Sequence, residues 1–162
     1  MRSRNRAGVT LVELVITVSI LALLASMALP LSQMLGKRTR ELELRRNLRT
    51  IRTAIDAYKS DYDEAVRAGS LIHSVNRSGY PATLEVLVTG DTFGGRYQYR
   101  KRFLRRIPVD PMNPPAAGMA PLWGLRSYAD PPDSRVWGRE DVYDIHSESD
   151  GIAIDGSSYR AW

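Results

Sequence analysis

The chain has no cysteine among its 162 residues, so no disulfide staples it and no thiolate holds a metal. It has only two histidines, His73 and His146, and they lack metal-ligand spacing. No glycine-rich phosphate loop is present. A Ser/His/Asp set can be drawn only from Ser147, His146 and Asp144, where adjacent strand residues point to opposite faces. Enzyme chemistry therefore finds no support, and the chain is read as a non-enzyme. Charge is missing from residues 14 to 36, a run of 23. Proline and glycine are missing from Lys37 to Ala68. Acidic residues are missing before Glu13, whereas Arg2, Arg4 and Arg6 precede it.

Those gaps frame what is there. A basic leader meets Gly8, and Val9-Thr10-Leu11-Val12-Glu13 then opens the apolar run. A helix needs about 20 apolar residues to cross a bilayer, so the run can span one. The leader arginines place the N-terminus in the cytoplasm and everything after Lys37 on the other side. Glu13 is the odd residue, because an acid inside an apolar span costs about 2.5–3.5 kcal/mol on insertion scales and marks a functional site. The competing reading of Glu13 is a carboxylate that snorkels to the interface one turn from the leader. An ordinary secretory signal peptide is the rival reading of the whole segment, with Ser26-Met27-Ala28 as its cleavage site. The acid near the start of the apolar core and Pro30 just after that site count against it.

Gly8, Thr10, Leu11 and Glu13, with Pro30 further on, resemble the class III signal of type IV pilins and type II secretion pseudopilins. The resemblance implies cleavage after Gly8 by a prepilin peptidase and N-methylation of Val9, where the family usually has phenylalanine. It also implies that Glu13, the fifth mature residue, pairs with the free α-amino group of a neighbouring subunit during assembly. Pro30 falls where these helices commonly kink. The N-terminal features are common to all pilin relatives, and Glu13 favours a subunit of the filament body.

Beyond the apolar run, Leu44, Leu48, Ile51, Ile55, Tyr58 and Tyr62 recur at spacings of four and three, a single stripe on an amphipathic helix. One helix from about Thr10 to Val66 would be about 85 Å long at 1.5 Å per residue. Gly69 is its expected stop. The upper part of the stripe, from Leu44, is expected against the chain's own head and the lower part against neighbouring subunits.

About 95 residues remain for a head with a modest core. Tyr80-Pro81 marks a turn, and Leu84, Leu87 and Val88 suggest a short helix ending at Gly90. Seven of the nine prolines lie between 108 and 132, which predicts a loop region. Strands are expected at Trp123–Tyr128, Asp141–His146, Ile152–Ile154 and Tyr159–Trp162. The predicted fold class is α+β: a long N-terminal transmembrane and stem helix with a small antiparallel sheet as head, a type IV pilin-like fold. The expected organisation is a leader at 1–8, a transmembrane half-helix at 9–36, an amphipathic stem at 37–68 and the head at 69–162.

The Tyr-Pro segment, the Asp110-Pro111…Asn113-Pro114 loop, the run Trp123 to Tyr128 and the acidic glycine-bearing end resemble a G-type, or major, pseudopilin. Absence of cysteine fits this better than a type IV pilin, many of which close a C-terminal loop with a cysteine pair. In the G-type subunits that loop commonly holds calcium, which would fall here on Glu148, Asp150 and Asp155. The alternative for the same residues is a pair of Asp-Gly turns joining strands. The resemblance further implies an inner-membrane subunit with a cytoplasmic N-terminus and a periplasmic head. Its partners would be copies of itself, minor pseudopilins, the prepilin peptidase and the inner-membrane assembly platform of a type II secretion system. The alternative function is a type IV pilin of a surface fibre for adhesion, motility or DNA uptake.

Charge is uneven along the head. Arg96, Arg100, Lys101, Arg102, Arg105 and Arg106 crowd one stretch, while residues 130 to 155 hold eight acids against Arg135 and Arg139. The basic run reads as a solvated face or half of a subunit contact with the acidic region. Net charge is +5, and losing the three leader arginines would leave +2, too little to suggest a nucleic-acid partner.

Overall fold

The computed structural model describes residues 9–72 and 78–162, with backbone alone over 27–31. Gly8, the leader arginines and His73 lie outside the described residues, as does the side chain of Pro30. The helix expected from the apolar run and the stripe forms as one element, α1 (Leu11–Arg67, 57 residues). It is followed by α2 (Glu85–Thr89), β1 (Gly124–Arg126), β2 (Asp144–His146) and a 3-10 turn at Tyr159–Ala161. This is an α+β, pilin-like arrangement of a long N-terminal helix and a small antiparallel sheet. The chain divides into two compact units, residues 1–39 and 40–162.

In the second unit the stripe is the core. Leu44, Ile51 and Ile55 are fully buried, and Leu48 and Tyr58 nearly so. They pack in one cluster with Leu84, Leu87, Phe93, Trp123, Val142, Ile145 and Tyr159 from the head. The 3.6-residue period of α1 thus gives the small sheet an apolar face to lie on, without which a two-stranded ladder is marginal in water. Truncating Ile55 to alanine at the centre of this stripe is expected to cost about 2–5 kcal/mol. Thermal unfolding of the detergent-solubilised chain reads that loss.

The helix ends where glycine permits. Gly69 has φ of 73°, its N–H donates to the Val66 carbonyl at 3.0 Å, and the Ser70 N–H donates to the Ala65 carbonyl at 2.9 Å. That paired pattern is the Schellman stop, which favours glycine at the left-handed position. The helix α2 ends at Gly90, also at positive φ, where any Cβ would collide with the backbone of Arg100 and Lys101. That close approach lets Asp91 bridge Lys101, while the Leu87 carbonyl accepts the N–H groups of Phe103 and Leu104, each at 2.9 Å.

The sheet is smaller than the sequence suggests. β1 and β2 pair antiparallel with Leu125 opposite Ile145. Two expected strands differ. Ile152–Ile154 contributes only an isolated bridge from Ile152 to Ser158, because the turn at Asp155-Gly156 folds the chain straight back. Tyr159–Trp162 is not a strand, because its first three residues coil into the 3-10 turn that brings the Tyr159 hydroxyl down to α1.

Candidate functional site

The first turn of α1 carries the N-terminal candidates. Thr10 precedes the helix, and its hydroxyl accepts the Glu13 N–H at 3.2 Å. Thr-x-x-Glu is the sequence of a capping box, and a carboxylate in the first turn also favours the positive end of the helix dipole. Glu13 is therefore well placed on helix grounds alone. Its surroundings are apolar: Val9, Leu11, Val12, Leu14, Val15 and Ile16 are all exposed, Leu11 by 80%. Exposure continues around every side of α1 through Ile20, Leu21, Leu23 and Leu24. A helix that is hydrophobic all round needs lipid or other protein to cover it. Among the described residues, no helix is long and apolar enough to cross a membrane.

The acidic end of the head is held by ion pairs and turn hydrogen bonds. Asp155 pairs with Arg45 of α1 at 3.1 Å and accepts the N–H and hydroxyl of Ser157, contacts that hold its carboxyl below the usual range, the Ser157 bonds foremost. Asp150 pairs with Arg160 at 3.1 Å, and the Glu148 carbonyl accepts from the same guanidinium at 3.2 Å. No three His, Cys, Asp or Glu side chains gather into a metal-holding group among the described residues. Two of the three carboxylates expected on calcium, Asp150 and Asp155, each pair with an arginine.

Residues that pattern reading passed over hold this end together. Glu41 is buried and accepts the Tyr159 hydroxyl and the Ile154 N–H, both at 2.8 Å. Its position was legible, since Glu41 extends the 44, 48, 51, 55 stripe by one step and places a carboxylate on the buried face. Arg52 reaches Asp144 at 2.7 Å, the Ile145 carbonyl at 2.9 Å and the Trp162 carbonyl at 2.7 Å. Asp110, fully buried, accepts the Ser147 hydroxyl at 2.6 Å and the Met112 N–H at 2.8 Å. Asp141 accepts the Ser78 hydroxyl and the Tyr128 N–H, and its carbonyl accepts the Trp137 indole at 2.7 Å.

Burial, then the hydrogen bond to Glu41, pushes the Tyr159 hydroxyl up to about 12. A phenol harder to ionise when folded than when unfolded contributes stability below pH 10 that is lost as pH rises through about 12. Alkaline unfolding between those values should therefore be less steep in Tyr159→Phe than in the parent chain, as a circular-dichroism titration would record. An equal slope in both would mean that the Tyr159 hydroxyl is not held buried against Glu41 in solution.

Comparison with known proteins extends the picture. Residues 3–29 match the family described as the prokaryotic N-terminal methylation motif. The chain is 27% identical over 126 residues to the type II secretion system core protein G of Pseudomonas aeruginosa, covering 75% of this chain and 78% of that protein. No solved structure matches. The motif and the likeness support the resemblance to a G-type pseudopilin and, more coarsely, a secretion pseudopilin or type IV pilin-like subunit. The relative is a secretion-system core protein, consistent with a non-enzymatic role here.

Proposed function

We propose that this chain is a structural pseudopilin of a type II secretion system, cleaved after Gly8, methylated on Val9 and polymerised into a periplasmic pseudopilus. The observation that carries this reading is that the likeness to core protein G covers 126 residues, most of them beyond the 27 of the methylation motif. Every pilin relative carries the motif, whereas the head distinguishes the subunits. In this reading the subunit waits in the inner membrane with residues 9–36 in lipid and its head in the periplasm. Assembly replaces lipid with neighbouring helices around the exposed apolar surface of α1. The assembly platform and minor pseudopilins are its partners, and protein export across the outer membrane is the outcome.

Glu13 supplies the register. Cleavage creates a charged amine at Val9, and holding it in a low-dielectric filament core is costly unless a carboxylate answers it. Glu13 of the adjacent subunit meets that need one helical turn away in sequence. Gene deletion tests the reading against a surface-fibre pilin: loss of secretion with twitching retained is expected. Loss of twitching with secretion intact would assign the subunit to a pilus.

A further inference from the structure

Four arginines of the basic stretch, Arg100, Arg102, Arg105 and Arg106, are exposed and make no hydrogen bond or ion pair among the described residues. Their neighbours differ: Arg96 is held by Glu64 at 2.6 Å and Lys101 by Asp61 at 2.6 Å. Lys101 also lies 5.1 Å from the centre of the Tyr97 ring, so it faces the stem. Arg100 and Arg102 flank it on either side of the Asp91–Lys101 bridge, and both are exposed. Four like charges within seven residues repel one another, and nothing described on their own chain offsets them.

A complementary surface exists elsewhere on the same unit. Tyr80, Tyr128 and Tyr143 pack their rings mutually, with centroids 5.1 to 5.8 Å apart. Tyr128 remains 63% exposed and Tyr143 42% exposed, so the cluster presents aromatic surface outward. Tyr80 and Glu140 line one cleft of about 170 Å³, with Tyr58, Tyr62 and Asp141. Asp56 lies three residues before Lys59 on the same face of α1, and the Lys59 ammonium is 5.7 Å from the Tyr80 ring. Both Asp56 and Glu140 are exposed and unpaired among the described residues. Aromatic faces beside free carboxylates are a preferred setting for guanidinium groups, which stack and ion-pair at once.

The two surfaces lie on different sides of the helix. Lys59 marks the tyrosine side, 5.7 Å from the Tyr80 ring, and Asp61 marks the side on which the segment carrying Lys101 crosses the helix. Two residues along an α-helix turn it by about 200°, so those sides are about 160° apart. Unlike patches on opposite sides repeat from copy to copy instead of closing a two-fold dimer.

We propose that the Arg100–Arg106 ridge of one copy docks on the tyrosine cluster and the Asp56 and Glu140 carboxylates of the next, a head-to-tail contact between heads. This rests on the filament reading and names a surface by which neighbours recognise one another. The native chain has no cysteine, which makes it testable by crosslinking. Full-length chain carrying Arg102→Cys and Glu140→Cys together, treated with a bismaleimide in native membranes, should give a ladder of dimer, trimer and higher species. Each single variant alone should stay monomeric. Adding Arg105→Glu and Arg106→Glu should reduce the ladder about tenfold, Asp56→Arg should restore part of it, and Arg139→Ser should not reduce it. Recovery of the same chain in the sheared filament fraction reports filament assembly independently. Filament recovered without a ladder from the head pair would overturn this contact and leave the filament intact. Neither filament nor ladder would remove the filament reading and this contact with it. Crosslinking of Arg102→Cys alone would mean a two-fold contact and would also overturn the proposal.

Discussion

Glu13→Ala is expected to be cleaved after Gly8 as the parent is, yet to assemble hardly at all. Thr10 still caps the first turn through its hydroxyl, so helix formation does not depend on the carboxylate. What disappears is the partner for the amine that cleavage creates on the neighbouring subunit. Leaving one charge of a buried pair unanswered costs about 3–5 kcal/mol. That corresponds to more than about a hundredfold in the equilibrium for adding a subunit. Glu13→Gln separates the two duties of this residue, because it retains the capping-box shape and loses the charge. It should fail as fully as alanine. Filament recovery in the sheared fraction, with precursor and mature chain resolved by gel, measures both variants. Parental amounts of filament from either would remove the pairing argument.

Asp110→Ala is expected to have the largest effect in the head. Asp110 is fully buried in the proline-rich loop and links it to the end of β2 through the equally buried Ser147. It also accepts the Met112 N–H, which fixes the loop's own turn. Alanine leaves the buried Ser147 hydroxyl and the half-buried Met112 N–H without their acceptor, and a buried donor left unsatisfied costs about 1–3 kcal/mol. A domain with about 5–15 kcal/mol in total can lose a substantial part of its margin this way, and its level in cells falls with it. The contrast is Arg45→Ala, which breaks an ion pair to Asp155 with both side chains about half exposed. Such surface pairs contribute about 0–1 kcal/mol. Thermal unfolding and periplasmic abundance should therefore separate the two variants clearly, and similar values for both would show that Asp110 is not the buried link described above.

The stem was legible because burial on a helix repeats every 3.6 residues and leaves its mark in sequence. Leu44 to Tyr58 are buried as their spacing requires, and the positive φ of Gly69 ends the helix where glycine allows it. The apolar N-terminal half was legible as a class of segment, with the fate of Gly8 and Val9 resting on resemblance. The head was less so, because side chain to backbone bonds hold it more than ladders do. Asp141 satisfies the Tyr128 N–H, which a longer strand would have paired, and Asp110 satisfies the Met112 N–H within the loop. Asp155 lies 110 positions from Arg45, a distance across which local patterning carries no information. The arginines that meet Asp150 and Asp155 are therefore invisible to local patterning. Glu41 could have been found by carrying the stripe one step back and asking what an acid does on a buried face.

The most direct measurement is the intact mass of the chain from native membranes, with and without its prepilin peptidase. A chain beginning at Val9 and about 14 Da heavier by one methyl group is predicted when the peptidase is present. Without the peptidase, the uncut precursor should accumulate. A chain beginning at Leu29, unchanged by loss of the peptidase, would contradict the account: it would describe a soluble domain released by ordinary signal peptidase, with no role for Glu13 in assembly.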